Sequence, residues 1–548
     1  MNRALLYILY CIYDLMNLEQ RIMTGPIIGK VTETTARILI ELENTQEITM
    51  ILKSDNSPTE VHSKTILVKS HNPTIFSFNE LKANTKYFIS FLPHINGIKS
   101  SFKTLGIERK SFSQMNVAIV SCNDVRYGRE SSANLNLWSD LADKAKRGEI
   151  DYIFHLGDQV YLDHDAWYGS KDNAYSKVLE YFTVNNITDY EKYTEYAREI
   201  IRNDYRMTWG FQPTAEVLSL VPNLMMMDDH EIHNDLVLDD SFNDPNSFNY
   251  FWKNQARFVL YQYQRQLRID VDFENYLDIN IEYFEEKING FQFIFLDLRG
   301  FKAWGSSGRI ENNKSELSEK EEEDFYLGEE QNYWLKNIFN DTYSTTFNTA
   351  VIVSSIPLAI FSKEFTRYIA TNSRDFEEFW SYNHENDEIN LLNFLYNWKK
   401  SDKTREILLI GGDTHFGIMT DIYYNKEPFL KQLTTSPISQ MIMPLSYVIA
   451  INSALDIRYS LKEDFCFSHY DYVTDNNYGI VQIRQNQNEK SFIEYFLMSS
   501  DGKAIKQNKS DYNFSFRDFN LISCCGSDCR IDYLQQYMKN VQKNMPLM

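Results

Sequence analysis

Three mainly apolar segments of the chain, at 152–156, 224–227 and 407–410, each run directly into side chains that can bind a metal or transfer a proton. In chain order these side chains are Asp158 and Tyr161, then Asp228, Asp229 and His230, then Asp413 and His415. Burying carboxylates is costly unless a cation or hydrogen bonds compensate the charge. Apolar strands that end in such groups therefore predict a metal-dependent hydrolase site.

The first segment ends in Gly157 and Asp158, and Tyr161 follows three residues later. A glycine at this point lets the backbone and a metal ion approach closely, and a carboxylate here can bridge two cations. A tyrosine phenolate is an oxygen donor that suits a hard ferric ion. The alternative is that Asp158 caps the next helix and that Tyr161 belongs to the aromatic core.

The second segment places the carboxylates of Asp228 and Asp229 side by side. Two buried neighbours raise each other's pKa and cannot both ionise without a cation. His230 is then either a metal ligand or the donor of a proton to a leaving oxygen. His233 either shares a helical face with it or is a surface residue.

In the third segment one residue separates Asp413 from His415, so on extended backbone both side chains can point to the same side. Cys122, at the end of another apolar run, is either a small buried residue or a thiolate ligand. Arg126 and Arg299 follow strand ends. An arginine there can bind phosphate through two hydrogen bonds or form a structural ion pair.

From Met115 onwards, apolar runs typical of strands alternate with long helical stretches. This alternation predicts an α/β fold in which helices flank the sheet and ligands bind at the carboxyl ends of the strands. Residues 23–105 instead contain short strand-like runs separated by turn residues, which predicts a small antiparallel β-sandwich with a scaffold role. The helices are expected at 133–148, 190–207, 249–267 and 329–340.

The composition is that of a large, folded, acidic protein. The chain has 548 residues, a formal charge of -21 and 43% hydrophobic residues, which is enough for two or more domains. The negative charge argues against non-specific binding to nucleic acid. A site that handles phosphate would need metals or arginines to reverse the sign locally.

Two regions bear on the location of the protein. Residues 1–22 contain an apolar stretch that is interrupted by Asp14 and has no small-residue cleavage site; it is too short to span a membrane. The six cysteines form no disulfide framework, although two of Cys524, Cys525 and Cys529 could pair or bind a metal. We expect a cytoplasmic protein, with secretion as the alternative if the N-terminal stretch is a signal peptide.

Six short motifs, taken in order, resemble the PhoD-like alkaline phosphatase/phosphodiesterase family of the calcineurin-like metallophosphoesterase superfamily. They are Ser121-Cys122-Asn123, Leu156-Gly157-Asp158-Gln159-Val160-Tyr161, Asp228-Asp229-His230-Glu231, Leu296-Asp297-Leu298-Arg299, Leu327-Gly328-Glu329-Glu330-Gln331 and Gly412-Asp413-Thr414-His415. The resemblance implies a metallophosphoesterase-type α/β/β/α sandwich over residues 108–548. A fibronectin-like β-sandwich over residues 23–107 and the apolar segment 1–22 would precede it.

The resemblance also implies a site that holds Fe3+ together with Ca2+, with Mn2+ or Zn2+ as alternatives. Around iron it places Cys122, Asp158, Tyr161 and His415; the second metal takes Asp229 and Asp413, and Asp228 is a further expected ligand. Two positions depart from the family pattern. Gln159 replaces a typical tyrosine, and Ser354-Ser355 stand where the wider superfamily usually offers a histidine, which favours calcium or manganese over zinc.

The expected reaction is hydrolysis of phosphomonoesters, phosphodiesters or both by attack of a metal-bound hydroxide. The expected catalytic residues are His230, Arg126, Arg299 and Asn234. His230 would protonate the leaving oxygen or orient the phosphate, and either arginine would stabilise the charge on the phosphoryl oxygens.

Two other readings stay open. One is a phospholipase D-like enzyme or nucleotide diesterase on the same fold, for which residues 441–451 could form apolar walls. The other is a non-catalytic binding protein that its metals stabilise. The expected partner is a small-molecule phosphoester, and the sequence leaves the natural substrate and the oligomeric state open.

Overall fold

The computed structural model describes most of the chain between Arg21 and Lys506. The described residues are 21–57, 59–95, 99–106, 113–125, 137–163, 173–234, 236, 240–279, 281–299, 326–340, 347–361, 384–440, 459–460, 465–485, 491–499 and 504–506. Several predicted features lie outside them, namely Arg126, residues 1–20 of the N-terminal segment, the apolar run 441–451 and the three terminal cysteines.

The N-terminal strands form a β-sandwich. They are β1 (Ile22–Val31), β2 (Ala36–Leu42), β3 (Gln46–Ser54), β4 (Val61–Val68), β5 (Thr74–Phe78), β6 (Lys86–Leu92) and β7 (Ser101–Lys103). One sheet has the order β1-β2-β5 and the other β4-β3-β6-β7. Alternate residues of β3 (Ile48, Met50 and Leu52) are buried in the core between the sheets, as expected for strands with one solvated face.

Two larger sheets form the centre of the rest of the chain. Their strands are β8 (Ser113–Val120), β9 (Tyr152–His155), β10 (Asn223–Met225), β11 (Phe284–Ile288), β12 (Phe291–Leu296), β13 (Thr349–Ser354), β14 (Glu406–Gly411), β15 (Gly417–Tyr424), β16 (Glu427–Thr434), β17 (Tyr459–Ser460), β18 (Phe465–Val473), β19 (Asn477–Gln485), β20 (Ser491–Ser499) and β21 (Ala504–Lys506). The six-stranded sheet has the order β10-β9-β8-β19-β20-β21, and the eight-stranded sheet the order β11-β12-β13-β14-β16-β15-β18-β17.

The two central sheets pack face to face. Ile119 and Phe154 of the first sheet and Phe295, Val353 and Leu408 of the second belong to one buried core. The ring of Phe154 meets that of Phe295 at 69°, with centroids 5.1 Å apart, a favourable edge-on arrangement. Strands covered on both faces are apolar throughout, which explains the continuous runs seen in the sequence.

Some of the helices cover the outer faces of both sheets. The helices are α1 (Leu137–Lys146), α2 (Ala174–Val184), α3 (Thr194–Trp209), α4 (Gln212–Leu218), α5 (Asp240–Asn243), α6 (Phe248–Tyr263), α7 (Gly328–Ile338) and α8 (Glu385–Ser401). Helix α1 packs on the six-stranded sheet through Trp138 and Leu141, and α7 and α8 pack on the eight-stranded sheet through Leu335 and Leu392. Helices α2, α3, α5 and α6 share a separate core with Ile27 and Leu39 of the β-sandwich. The resulting α/β/β/α sandwich with an N-terminal β-sandwich confirms the predicted fold class.

Two predicted helices are shorter in the structure than in the sequence prediction. Residues 190–193 form a 3-10 turn before α3, and α6 ends at Tyr263. The side chain of the next residue, Gln264, turns inward to hydrogen-bond Tyr205 and Glu231. The predicted boundary near residue 107 falls outside the described residues and remains a prediction. In the part of the chain that the structure describes, no helix is long and apolar enough to cross a membrane.

Candidate metal centre

Five strands of the two central sheets end close together, and a polar residue follows each of them. Cys122 follows β8, Asp158 follows β9, Asp228 follows β10, Arg299 follows β12 and Asp413 follows β14. Strands β8, β9 and β10 run parallel in one sheet, as do β12, β13 and β14 in the other. Their carboxyl ends therefore present these side chains at one edge of the sandwich, where ligands bind in such folds.

Close backbone approach and unusual backbone angles mark this edge. A Cβ atom on Gly157 (φ 107°) would lie 2.2 Å from Cβ of Asp228, and one on Gly412 would lie 2.6 Å from Oγ of Ser121. Left-handed φ angles of 53°, 56°, 61° and 56° occur at Cys122, Asp158, Asp413 and His415. Such strain costs about 1–3 kcal/mol per residue and clusters at functional sites.

Three overlapping groups of donor atoms could each hold a cation, because the atoms of each group lie within 4.8 Å of one another. The groups are Cys122, Asp158 and His415; Asp158, Asp229 and His230; and Asp158, Asp228, Asp229 and Asp413. Asp158 belongs to all three, as expected of a carboxylate that bridges two cations. The structure thus brings six of the seven predicted metal ligands together, and the seventh, Tyr161, contacts two of them.

The Cys122 thiol is buried in polar surroundings. Its S–H donates to Oδ2 of Asp158 over 3.3 Å, and the Ser436 hydroxyl donates to Sγ over 2.9 Å. Burial raises the pKa of Cys122 to about 12, and the Asp413 charge adds to the shift. The thiol is therefore protonated in the metal-free protein, whereas a bound metal would hold it as the thiolate.

Tyr161 joins Asp158 to His415. Its hydroxyl donates to Oδ2 of Asp158 over 3.1 Å and lies 3.2 Å from Nε2 of His415. Burial raises the pKa of Tyr161 and of Asp158 well above their usual ranges. Burial also lowers the pKa of His415 to about 4, with a contribution from the His230 charge. The neutral His415 ring can therefore offer a lone pair to a metal.

Arg299 is fully buried among carboxylates. Its Nε donates to Oδ1 of Asp228 over 2.5 Å. Its Nη2 lies 3.4 Å from Oδ2 of Asp413 and 3.6 Å from Oδ1 of Asp229. The backbone N–H of Arg299 donates to Oδ1 of Asp297 over 3.0 Å, which fixes the turn after β12. One guanidinium thus pairs with three of the predicted metal ligands.

His230 is held by Asp163, a residue that the sequence analysis did not identify. Nδ1 of His230 lies 2.8 Å from Oδ1 of Asp163, and the ring packs on Tyr161 with centroids 4.1 Å apart. Burial alone would lower the pKa of His230, but the carboxylates of Asp229, Asp163 and Asp158 raise it well above its usual value. The ring is therefore a cation near neutral pH, and its Nε2 carries a proton that it can donate.

Glu231 fixes the two loops that carry Asp158 and Asp228. Its fully buried carboxylate accepts the backbone N–H groups of Asp158, Gln159 and Asp228 over 3.0, 2.5 and 2.9 Å. The Gln264 amide also donates to it, over 3.2 Å. With these bonds made to its own loops, Glu231 positions the donor residues.

Negative charge exceeds positive charge among the described residues of this centre. The four carboxylates of the largest donor group face the Arg299 guanidinium, while the His230 imidazolium is paired with Asp163. Because unbalanced buried charge is unfavourable, the centre fits bound cations. The sulfur, nitrogen and oxygen donors around Cys122 suit a transition metal such as iron, and the all-oxygen group suits Ca2+.

Two further predicted residues have other surroundings, and a third lies outside the described residues. Asn234 is close to the centre through its backbone, because its N–H donates to Asp163. His233 is half-buried, with Nδ1 3.6 Å from Oδ2 of Asp163. Arg126 lies outside the described residues, and its predicted role stays a prediction.

The two departures from the family pattern turn away from the centre. Oε1 of Gln159 lies 2.7 Å from Nδ1 of His155 in the core. The Ser354 hydroxyl donates to the Ile356 carbonyl over 2.7 Å, and the Ser355 carbonyl accepts the N–H of Gly412.

Three residues of the centre carried little or no signal in the sequence. Asp163 lies two residues after Tyr161, and this spacing is the one cue that could have identified it. Glu231 lies within the Asp228-Asp229-His230-Glu231 motif, but its backbone partners are set only by the fold. Ser436 follows β16, outside all six motifs, and only the sheet order brings it to Cys122.

Fold and site together define an α/β/β/α sandwich with a candidate metal centre at the carboxyl ends of its strands. A family model described as PhoD-like phosphatase matches residues 117–491, more than half of the chain, and the chain belongs to this family. Family and fold identify it as a phosphoesterase, a hydrolase that acts on phosphate esters. No curated protein matches the chain.

Solved structures support the fold. A structure of PhoD is similar with a TM-score of 0.60 and 14% identity, over 88% of this chain and 92% of that chain; at this identity the likeness concerns the fold alone. The sensor domain of the anti-sigma factor RsgI4 from Pseudobacteroides cellulosolvens matches 17% of this chain and 99% of that chain at 18% identity. Its TM-score of 0.15 is too low to bear on the fold.

Proposed function

We propose that this protein is a metal-dependent phosphoesterase that hydrolyses phosphomonoesters, phosphodiesters or both. The observation that carries this proposal is the convergence of four carboxylates, three of them buried, with a thiol and histidines at one set of strand ends. The chain belongs to a phosphatase family, and bound metals at such a centre can promote hydrolysis of a phosphate ester. Fe3+ with Ca2+ fits the donor sets, and Mn2+ or Zn2+ are the alternatives.

The donor groups divide between two cation sites. Cys122, Asp158, Tyr161 and His415 would hold the iron, and Asp158 together with Asp228, Asp229 and Asp413 would hold the second cation. When bound, the cations supply a water that is nucleophilic near neutral pH and stabilise charge on the phosphoryl oxygens. Glu231 keeps the donors in place through its bonds to both loops.

Arg299 stabilises the phosphoryl group. Its guanidinium is fully buried and pairs with Asp228, Asp229 and Asp413, so it would act on the phosphoryl charge as a fixed cation behind these carboxylates. A buried, fixed cation of this kind contributes most where charge develops in the transition state. Arg126 stays a second candidate for the same role, on the strength of its place after β8 in the sequence.

His230 provides the proton for the leaving oxygen. Asp163 holds its Nδ1, and the Tyr161 ring packs against the imidazole, so the orientation of Nε2 is fixed. The neighbouring carboxylates raise its pKa, which keeps the ring protonated at neutral pH. Such general acids contribute about 100-fold or more to the rate.

The test is hydrolysis by the full chain purified with iron and calcium. A chromogenic phosphomonoester, a diester and a phospholipid are offered in parallel, which separates the proposed activities from the phospholipase D-like alternative. Asp413→Ala should lower the activity by at least about 100-fold. Asp270→Ala, at an aspartate whose side chain is 92% exposed, is the matched control and should retain it. Full metal-dependent activity in Asp413→Ala would contradict the proposal.

A further inference from the structure

Buried polar side chains link the N-terminal β-sandwich to the turn that carries Asp158. The Ile28 carbonyl of β1 accepts from Nδ2 of Asn223 over 2.9 Å. Oδ1 of Asn223 lies 2.9 Å from Nε2 of His155, whose Nδ1 lies 2.7 Å from Oε1 of Gln159. Asn223, His155 and Gln159 are all at most 1% exposed, so water cannot replace these contacts.

The orientations of both amides are fixed by other partners. Nδ2 of Asn223 also donates to the Val221 carbonyl over 2.7 Å, and Nε2 of Gln159 donates to the Gly157 carbonyl over 2.8 Å. Both amides therefore present oxygens to His155, which acts as the donor. Burial lowers the pKa of His155 to about 4 while the two contacts raise it, so the ring donates from the nitrogen that carries the proton.

Gln159 braces the turn on which Asp158 lies. Its side chain holds the Gly157 carbonyl on one side of Asp158, and its backbone N–H donates to Oε1 of Glu231 over 2.5 Å on the other. Asp158 itself has a left-handed φ of 56°, a conformation that persists only where the surroundings enforce it. The Gln159 contacts therefore help to set the direction of the Asp158 carboxylate.

The other end of the link is a tightly docked strand. A Cβ atom on Gly29 of β1 would lie 2.3 Å from the Leu267 carbonyl oxygen. The Val31 N–H donates to the Tyr152 hydroxyl over 3.1 Å. Strand β1 thus contacts Leu267, which follows α6, and Tyr152, the first residue of β9. These contacts determine the position of the Ile28 carbonyl.

We propose that His155 is a positioning residue for the metal centre, through which the docked β-sandwich sets the geometry of Asp158. This inference rests on the proposed function and assigns the β-sandwich a part in it beyond that of a scaffold. The neutral His155 ring carries one N–H, so its removal leaves one of the two amide oxygens without a donor and takes the ring contact away from the other. The turn at Asp158 then loses one of its braces.

The first test compares His155→Leu with the wild type in the full, iron-loaded chain. Ca2+ is titrated in by calorimetry, and kcat and KM are measured for a chromogenic monoester. Loss of residues that support metal ligands typically costs about 10-fold or more in metal affinity or activity, so Ca2+ affinity and kcat should fall about 10-fold with KM unchanged. His155→Gln, which keeps a donor, should recover part of the loss.

A coupling measurement and a stability control sharpen this test. Gln159→Leu should weaken Ca2+ binding at least as much as His155→Leu, because it also removes the bond to the Gly157 carbonyl. The double variant should bind Ca2+ no more weakly than Gln159→Leu alone, because the contact with His155 is already lost in that variant. Phe154→Leu changes the neighbouring residue of β9, buried in the core between the sheets. It should lower the melting temperature and leave the Ca2+ affinity unchanged.

The second test acts on the docking strand and needs no change near the centre. Gly29→Ala forces β1 away from Leu267, whereas Gly106→Ala, where an added Cβ meets nothing within 4 Å, is the matched control. Gly29→Ala should weaken Ca2+ binding several-fold and Gly106→Ala should not. These two variants test whether the docking of β1 affects the metal centre, even if His155→Leu does not fold.

Equal Ca2+ affinity and kcat in wild type, His155→Leu and Gly29→Ala would overturn this inference and leave the proposed function intact. A wild-type chain that binds neither iron nor Ca2+ would instead remove the proposed function, and this inference with it. The two failures are thus distinguished by the wild-type titration alone.

Discussion

Two regions of the molecule bury carboxylates deeply, and they differ in what balances the charge. Where the β-sandwich meets α3 and α6, Glu41 is fully buried and accepts from Nε and Nη2 of Arg206 over 3.0 and 2.6 Å. The Tyr263 hydroxyl donates to its other oxygen over 2.6 Å. At the strand ends, four carboxylates instead lie close enough together to ligate one cation.

The difference separates a structural ion pair from a functional site. Glu41 is matched by one arginine and one hydroxyl and needs nothing from solution. Among the described residues, the strand-end carboxylates share Arg299, which leaves a net negative charge that a bound cation would neutralise. Buried charge by itself therefore says little about function, whereas unbalanced buried charge, held on strained backbone, predicts a ligand.

The largest expected effect is at the residue that all three donor groups share. Asp158→Asn should lower kcat/KM about 1000-fold and reduce the bound metal, because it removes a carboxylate common to both proposed cation sites. Asp151→Asn, at the opposite end of β9, is the matched control and should keep nearly full activity. Hydrolysis of a chromogenic ester measures kcat/KM, and elemental analysis measures the bound metal. Wild-type activity in Asp158→Asn would show that the strand-end carboxylates are not a functional metal site.

Changes to the ion pair between Glu41 and Arg206 should alter the free energy of unfolding. Arg206→Met leaves Glu41 buried without its cation and should lower the free energy of unfolding by about 3–5 kcal/mol. Replacing Glu41 as well, in Glu41→Met/Arg206→Met, should recover a large part of the loss. Urea unfolding in chelator measures both variants. If Arg206→Met were as stable as the wild type, Arg206 would not compensate the buried charge of Glu41.

The proton donor should show a dependence on the leaving group. His230→Asn should lower kcat about 100-fold for an alkyl phosphate, whose leaving oxygen needs a proton, and much less for p-nitrophenyl phosphate. Asp163→Asn should give a smaller loss with the same dependence, since it only releases Nδ1 of the ring. Equal losses with both substrates would assign His230 to binding instead.

The smallest effect concerns the metal-free protein and its pH dependence. Burial raises the pKa of Asp158 well above its usual value of 3.8. Between pH 3.8 and the raised pKa, Asp158 has lost its proton in the unfolded chain and keeps it in the folded chain. Its contribution to the free energy of unfolding therefore falls as pH rises through this range. The raised pKa of His230 acts in the same direction, because its stabilisation is present below pH 6.5 and is lost as pH rises through the raised value.

Asp158→Asn should remove the Asp158 part of that pH dependence. In chelator it should be more stable than the wild type by about 1 kcal/mol at pH 8 and equal to it near pH 3.5. Added Ca2+ should reverse the order. Urea unfolding of both proteins across this range tests it, and a difference in stability between them that does not change with pH would contradict it.

The sequence revealed the donors and missed their supports for a physical reason. Asp158, Asp228 and Asp413 each end an apolar run, and this abrupt change in polarity is a local signal. Asp163 and the backbone partners of Glu231 depend on how loops from distant parts of the chain meet. No local pattern records such contacts.

The sheet arrangement was also predictable only in part. Alternating strands and helices indicated flanking helices, but β8 pairs with β19, more than 350 residues away, and β16 lies between β14 and β15. Local patterns do not specify such pairings, and the two-sheet sandwich came from the family resemblance. Gln159 illustrates the same limit, because only the fold shows that its side chain points to His155.

Metal-dependent phosphoesterase activity is tested most directly by elemental analysis of the purified protein, together with hydrolysis of a chromogenic monoester and diester before and after chelation. Iron and calcium in the protein, with activity that chelation removes and the two metals restore, is the predicted result. A protein that stays free of metal when iron and calcium are supplied, or that hydrolyses neither ester when loaded, would contradict the account.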